Sequence, residues 1–190
     1  MTRLELGDVI NFPANASCPV VAKLNERFGG FLTGLIQTKA DHSSIHSGLI
    51  VSSSVRAGKF WTLEAIEKGV YLLERDMSEL KDLNVYRHIH MNDDSREVIK
   101  SILRKYWNMP YDYNSLLLNA LSEFAGIIGL RNQANKLIAK IYDKPHEQIC
   151  SELVIRIHEE AGMEFENMAE VSTPSDIDRS RYFKILLKNY

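Results

Sequence analysis

The chain has 190 residues, 45% of them hydrophobic, and its 23 lysines and arginines against 25 aspartates and glutamates give a formal net charge of -2. That size and apolar share suit one globular domain over 1–190 with a full core, and the scattered basic residues argue against a nucleic-acid partner. Two cysteines, Cys18 and Cys150, are too few for a disulfide framework or a cysteine-rich zinc site.

Met1 to Val20 interleaves Arg3, Glu5, Asp8 and Asn11 with apolar residues and has no continuous apolar core of a secretory signal, so a cytoplasmic address with reduced thiols is expected. Gly7 to Phe12 reads as an opening strand. Pro19 to Phe28 is predicted as a short helix, with proline in its first turn and Gly29-Gly30 after it, and Phe31 to Gln37 as a second amphipathic stretch. His46 to Val51 reads as a strand and Ser52 to Gly58 as a turn. Lys59 to Ile66 alternates as a strand, with Trp61, Leu63 and Ala65 on one face and Thr62, Glu64 and Ile66 on the other. Gly69 to Leu73 and Leu83 to Met91 complete a strand-rich first half.

The second half is predicted to be helical. Asp94 with Glu97 forms a variant capping box ahead of Val98, Ile102, Leu103 and Tyr106 at helical spacing, and Pro110 stops that helix. Two further helices fall within Asn114 to Ile128 and Asn132 to Tyr142. The apolar run Leu116 to Leu130 is broken by Asn119, Ser122 and Glu123 and is too short to span a bilayer. A last helix starts near Cys150 and runs to Ala161, with Gly162 just past its end. Segregated strands and helices predict an α+β fold with a largely antiparallel sheet.

Chemistry enters at Cys150. A thiol in the first turn of a helix sits among unpaired backbone N–H groups at the positive end of the dipole, and both favour thiolate. The same groups suit an oxyanion. His46 and Glu64 provide the partners. A hairpin centred on Val55 would set them directly opposite each other, about 5 Å apart at Cβ, so that Glu64 orients the imidazole while His46 serves the thiol. Each residue alone has a bland alternative: a small buried thiol, a hydrogen-bonded core histidine, a solvated strand carboxylate.

With these residues in view, the chain resembles the circularly permuted branch of the NlpC/P60 papain-like superfamily, the YiiX-like permuted papain-like amidases. The resemblance rests on Leu6-Gly7-Asp8-Val9-Ile10, Ser44 to Val51, Leu63-Glu64-Ala65 with Gly69-Val70, and Val85-Tyr86-Arg87. Pro110-Tyr111-Asp112, Ile149 to Val154 and Thr173-Pro174-Ser175-Asp176 continue it, so it covers most of the chain. The histidine and its partner precede the cysteine, the order of the permuted branch. The resemblance implies a papain-like fold in permuted order, with a small sheet packed against the nucleophile's helix. It also implies a Cys150, His46 and Glu64 triad, and draws Tyr111 towards substrate binding. Ordinary packing is the plainer role for that tyrosine. The apolar excursion over 114–142 is read as core that also offers the cleft a wall for an acyl chain.

Rival assignments are weaker. Cys18 precedes Pro19 at another helix start but lies only 28 residues before His46, and the Cys-Ser-Glu-Leu-Val pattern belongs to Cys150. His42 with His46 lacks the glutamate of a zincin motif, and His88 with His90 lacks a third ligand, so no metal and no cofactor is expected. The expected activity is a cysteine hydrolase acting on an amide, a peptide or an N-acyl amino acid, through a thioester. The alternatives are a lipid acyltransferase or thioesterase of the same architecture, and a binding protein with a vestigial triad. A peptide, small-molecule or acyl-lipid partner is expected in each case.

Overall fold

A computed structural model describes residues 3–13, 44–111, 150–166, 169 and 172–188. Six strands form one sheet: β1 (Val9–Pro13), β2 (Ser44–Ser54), β3 (Lys59–Ile66), β4 (Gly69–Asp76), β5 (Asn84–His88) and β6 (Phe183–Leu187). Every neighbouring pair is antiparallel, in the order β4-β3-β2-β1-β5-β6. Among the described residues three α-helices accompany it: α1 (Asp93–Tyr106), α2 (Cys150–Glu160) and α3 (Pro174–Arg179). The α+β class with an antiparallel sheet is therefore present. The strict division into a strand half and a helix half is not, because β6 returns from the C-terminal region to pair with β5.

Both faces of the sheet are buried. Val9, Leu49, Leu63 and Ala65 on one face join Leu153, Val154 and Ile157 of α2 in the larger core cluster. Ile10, Phe12, Ile50, Phe60 and Val85 build a second cluster on the other. The alternation in β3 thus separates two interiors rather than an interior from water. Leu153 is completely buried, so its truncation to alanine would cost about 2–5 kcal/mol and loosen α2 on β2 and β3, which it packs against.

The element boundaries have local causes. Asn92, in extended backbone, caps α1 by accepting the Ser95 N–H at 2.8 Å, and Asp93 and Asp94 fill the first turn. The cap is therefore Asn92, two residues before the predicted Asp94. The helix ends at Tyr106, and Asn108 takes the left-handed conformation at φ 63 ahead of Pro110. Asn108 N–H and Met109 C=O then bond Val70, which covers the start of edge strand β4. Gly162, at φ 79, closes α2: its N–H bonds Glu159 C=O at 2.9 Å and Met163 N–H bonds His158 C=O at 3.0 Å, the paired bonds of a Schellman end. Strand β4 continues to Asp76 and β5 ends at His88, correcting the predicted limits at Leu73 and Met91. The predicted helices at Pro19 to Phe28, Asn114 to Ile128 and Asn132 to Tyr142, and the stretch Phe31 to Gln37, lie outside the described residues. Among the described residues no helix is long and apolar enough to cross a membrane.

Candidate active site

The register of the β2–β3 hairpin sets the site. Leu49 faces Leu63 and Ile50 faces Thr62, with a bulge between Ile50 and Ser52, so continuing the ladder puts Glu64 opposite Gly48 and not opposite His46. The predicted pairing about Val55 is thus displaced, because the strand runs on to Ser54 and a 3-10 turn over Val55–Ala57 makes the connection. Histidine and glutamate nevertheless meet. His46 lies two residues along the same face of β2, and Gly48 leaves the path between them open. A Cβ on Gly48 would stand 2.6 Å from Glu64 Cγ. In that gap the carboxylate reaches sideways, and His46 Nε2 lies 2.8 Å from Glu64 Oε2.

Glu64 is completely buried and accepts more than the imidazole. Arg75 Nε donates to Oε1 at 2.7 Å, Arg75 Nη2 donates to Oε2 at 2.8 Å, and the Thr62 hydroxyl donates to Oε1. Burial pushes the carboxyl up, but the bonds and charges of His46 and Arg75 prevail and bring it down to about 2. Glu64 is an anion throughout the ordinary pH range. His46 is buried as well, and its ring packs on Phe12 with centroids 5.2 Å apart.

Cys150 is the first residue of α2 and is partly exposed as a free thiol. Alternate residues of an antiparallel strand direct their N–H groups to opposite neighbours. Ile50 N–H serves the Asp8 carbonyl on the β1 side, so Ser47 N–H points to the β3 side, where the ladder begins only at Leu49. The Ser47 N–H faces the Cys150 sulfur there, as does the Ser151 N–H, and both favour the thiolate. Burial pushes the thiol up, but the charge of His46, its hydrogen bond and these two N–H groups prevail and leave it more acidic than a free cysteine. The His46 ring thus stands between the Glu64 carboxylate and the Cys150 sulfur.

The neighbouring polar groups hold these pieces in place. Ser47 Oγ donates to Asn11 Oδ1 at 2.6 Å, and Asn11 Nδ2 donates to Asp178 Oδ1 at 2.8 Å and to the Pro174 carbonyl at 2.9 Å, which ties β2 to α3. Ser151 Oγ donates to the Ser172 carbonyl at 2.6 Å and fixes the start of α2.

The structure therefore brings Cys150, His46 and Glu64 together. Tyr111 is buried in the larger core cluster, which also holds Ala65, Val70 and Leu153. Cys18 and His42 lie outside the described residues. His88 is buried, with Nε2 on the Glu164 carbonyl at 3.1 Å and Nδ1 accepting the His90 N–H at 3.2 Å, so its ring nitrogens are spent on the backbone. Among the described residues no three His, Cys, Asp or Glu side chains gather as a metal-ligand set.

Sequence reasoning missed Arg75, Thr62, Gly48 and Ser47. Arg75 had a usable signal: Ile66 faces Gly69 across a two-residue turn, and the ladder continues through Thr62 with Leu73 to Phe60 with Arg75. Extending the predicted strand past Leu73 would have put Arg75 on the face of Glu64. No protein-family model and no curated protein matches this chain.

Proposed function

We propose that the protein is a cysteine-dependent hydrolase that cleaves an amide through a thioester intermediate, built on a permuted papain-like arrangement. The observation that carries this reading is the chain of contacts from a buried, anionic Glu64 through His46 to a thiol made acidic at the start of α2. A structural cysteine needs no such partners, whereas a thiolate nucleophile does.

In the proposed cycle the Cys150 thiolate adds to the substrate carbonyl, and backbone N–H groups of the first turn of α2 stabilise the oxyanion. The C–N bond then breaks as His46, as imidazolium, gives its proton to the leaving nitrogen. A water molecule next attacks the thioester and His46 takes a proton from it. The C–S bond breaks, leaving a carboxylic acid and the restored thiolate–imidazolium pair. Glu64 stays ionised throughout and holds the ring in one orientation.

Thiol chemistry offers the direct test. Brief iodoacetamide treatment at pH 6 with mass mapping should label Cys150 ahead of Cys18, because only a thiol of lowered pKa is appreciably ionised there. Cys150→Ala should abolish hydrolysis of N-acyl amino acid amides and activated esters. Preferential labelling of Cys18, or turnover that survives Cys150→Ala, would sink the assignment.

A further inference from the structure

A carboxylate offers about four acceptor directions, and the His46 ring takes one of those on Glu64. Arg75 takes two and Thr62 another. The guanidinium is a planar fork, so its two parallel bonds fix the plane of the carboxylate, which a single-point ammonium does not do. Arg75 is itself held. It is 8% exposed, its Nη1 donates to Glu79 Oε2 at 2.9 Å, and its guanidinium carbon lies 4.7 Å from the centre of the Phe12 ring, which also packs on His46.

Among the described residues, the charges seen around the pair are these. Glu64 of β3 faces His46 from β2 and Arg75 from β4, His46 faces Cys150 from α2, and Arg75 faces Glu79 beyond β4. A carboxylate serving His46 alone would give the imidazolium its full charge and make it a reluctant acid. A guanidinium on the same two oxygens divides that charge and adds a like charge near the ring, and both effects favour release of the proton.

Resting on the reading of His46 as acid and base, we propose that Arg75 is a positioning residue that fixes the Glu64 carboxylate against His46 and shares its charge, so that the imidazolium gives its proton to a leaving group more readily than it would beside a carboxylate serving it alone. The residue acts through Glu64 and touches no reacting atom.

The test titrates the His46 ring nitrogens by long-range proton–nitrogen NMR in the wild type, Arg75→Gln, Arg75→Lys and Glu79→Gln. Alongside it, kcat and KM for a Cys150-dependent ester are measured against pH. Arg75→Gln should raise the His46 pKa by about one unit or more, carry the alkaline limb of the rate profile up with it, and lower kcat about tenfold or more with little change in KM. Arg75→Lys keeps the charge and loses the fork, so it should restore most of the titration but not kcat. Glu79→Gln leaves Arg75 more strongly positive towards Glu64 and should move the His46 pKa slightly down. If Arg75→Gln does not fold, the test rests on Arg75→Lys, whose kcat should fall about tenfold at wild-type Tm; a wild-type kcat in folded Arg75→Lys would overturn the role of the fork. A His46 titration unchanged in every folded variant, with kcat falling only in step with Tm, would overturn the role of Arg75. Absence of Cys150-dependent turnover in the wild type would instead overturn the hydrolase reading, and with it the catalytic part of this inference.

Discussion

At the scale of single residues, the feature with most leverage is an absent side chain. Gly48 is opposite Glu64, and its missing Cβ is the space through which the carboxylate reaches His46. Gly48→Ala should push Glu64 aside and reduce kcat about tenfold to a hundredfold while KM is kept, since misplacement by a fraction of an ångström suffices. Unchanged kinetics would show that Glu64 has another route to the imidazole. Glu64→Gln has a heavier consequence than its position in a strand suggests, because it leaves the Arg75 guanidinium buried without its principal anion. Removing one partner of a buried pair costs about 3–5 kcal/mol, so the variant should lose stability as well as turnover, although Glu79 retains part of the charge balance. Thermal unfolding alongside kinetics separates the two effects, and a Glu64→Gln protein with wild-type Tm would refute the pairing as drawn.

At the scale of elements, the site depends on how α2 begins. The helix is seated by Leu153, Val154 and Ile157, but its first residue is aimed by Ser151, whose buried hydroxyl bonds the Ser172 carbonyl. Ser151→Ala removes one buried hydrogen bond, an effect of about 1–2 kcal/mol. The start of α2 should then tilt relative to β2, weakening the Ser47 N–H contact with the sulfur. The expected outcome is a modest fall in Tm together with slower alkylation of Cys150 at pH 6. A lowered Tm with an unchanged alkylation rate would mean that the strand, not the loop before α3, aims the thiol.

For the whole molecule, one contribution to the pH dependence of stability comes from a histidine near the other end of α2 from Cys150. His158, in the last turn of α2, is completely buried with Nδ1 2.7 Å from the Val154 carbonyl and Nε2 3.0 Å from the Gly7 carbonyl. A neutral ring has one N–H and can donate to only one of them. Protonation would supply the second donor at the cost of burying a charge, and burial prevails, bringing the ring from 6.5 down to about 4. Burial also lowers His88, whose ring lies 6.0 Å from that of His158. The unfolded chain binds the His158 proton at higher pH than the folded one, so the stability is present above 6.5 and is lost as pH falls towards 4. The full effect is about 3 kcal/mol. Urea midpoints from pH 8 to 4 should fall more steeply for the wild type than for His158→Gln, which has no titrating ring. Parallel curves would exclude His158 as the source.

The sequence by itself determined those features that depend on neighbours along the chain. Strand β3 was legible at Lys59–Ile66 because alternation needs only a few residues, and the end of α2 because Gly162 alone accepts the left-handed turn without cost. Cys150 stood out for the same reason, since a thiol at a helix start is a local pattern. The meeting of His46 with Glu64 was expected, but its geometry was not: a hairpin centre inferred from turn residues carries an error of a residue or two, and a bulge between Ile50 and Ser52 is a choice made by the whole sheet. Asn92 took the cap from Asp94 because its backbone is extended as the chain leaves β5, which composition does not reveal. Tertiary structure alone decided that both faces of β3 are buried, that β6 closes the sheet, and that Arg75 lies against Glu64. These depend on partners far apart in the chain, and a buried carboxylate acquires its charge and its orientation only from what the fold packs around it.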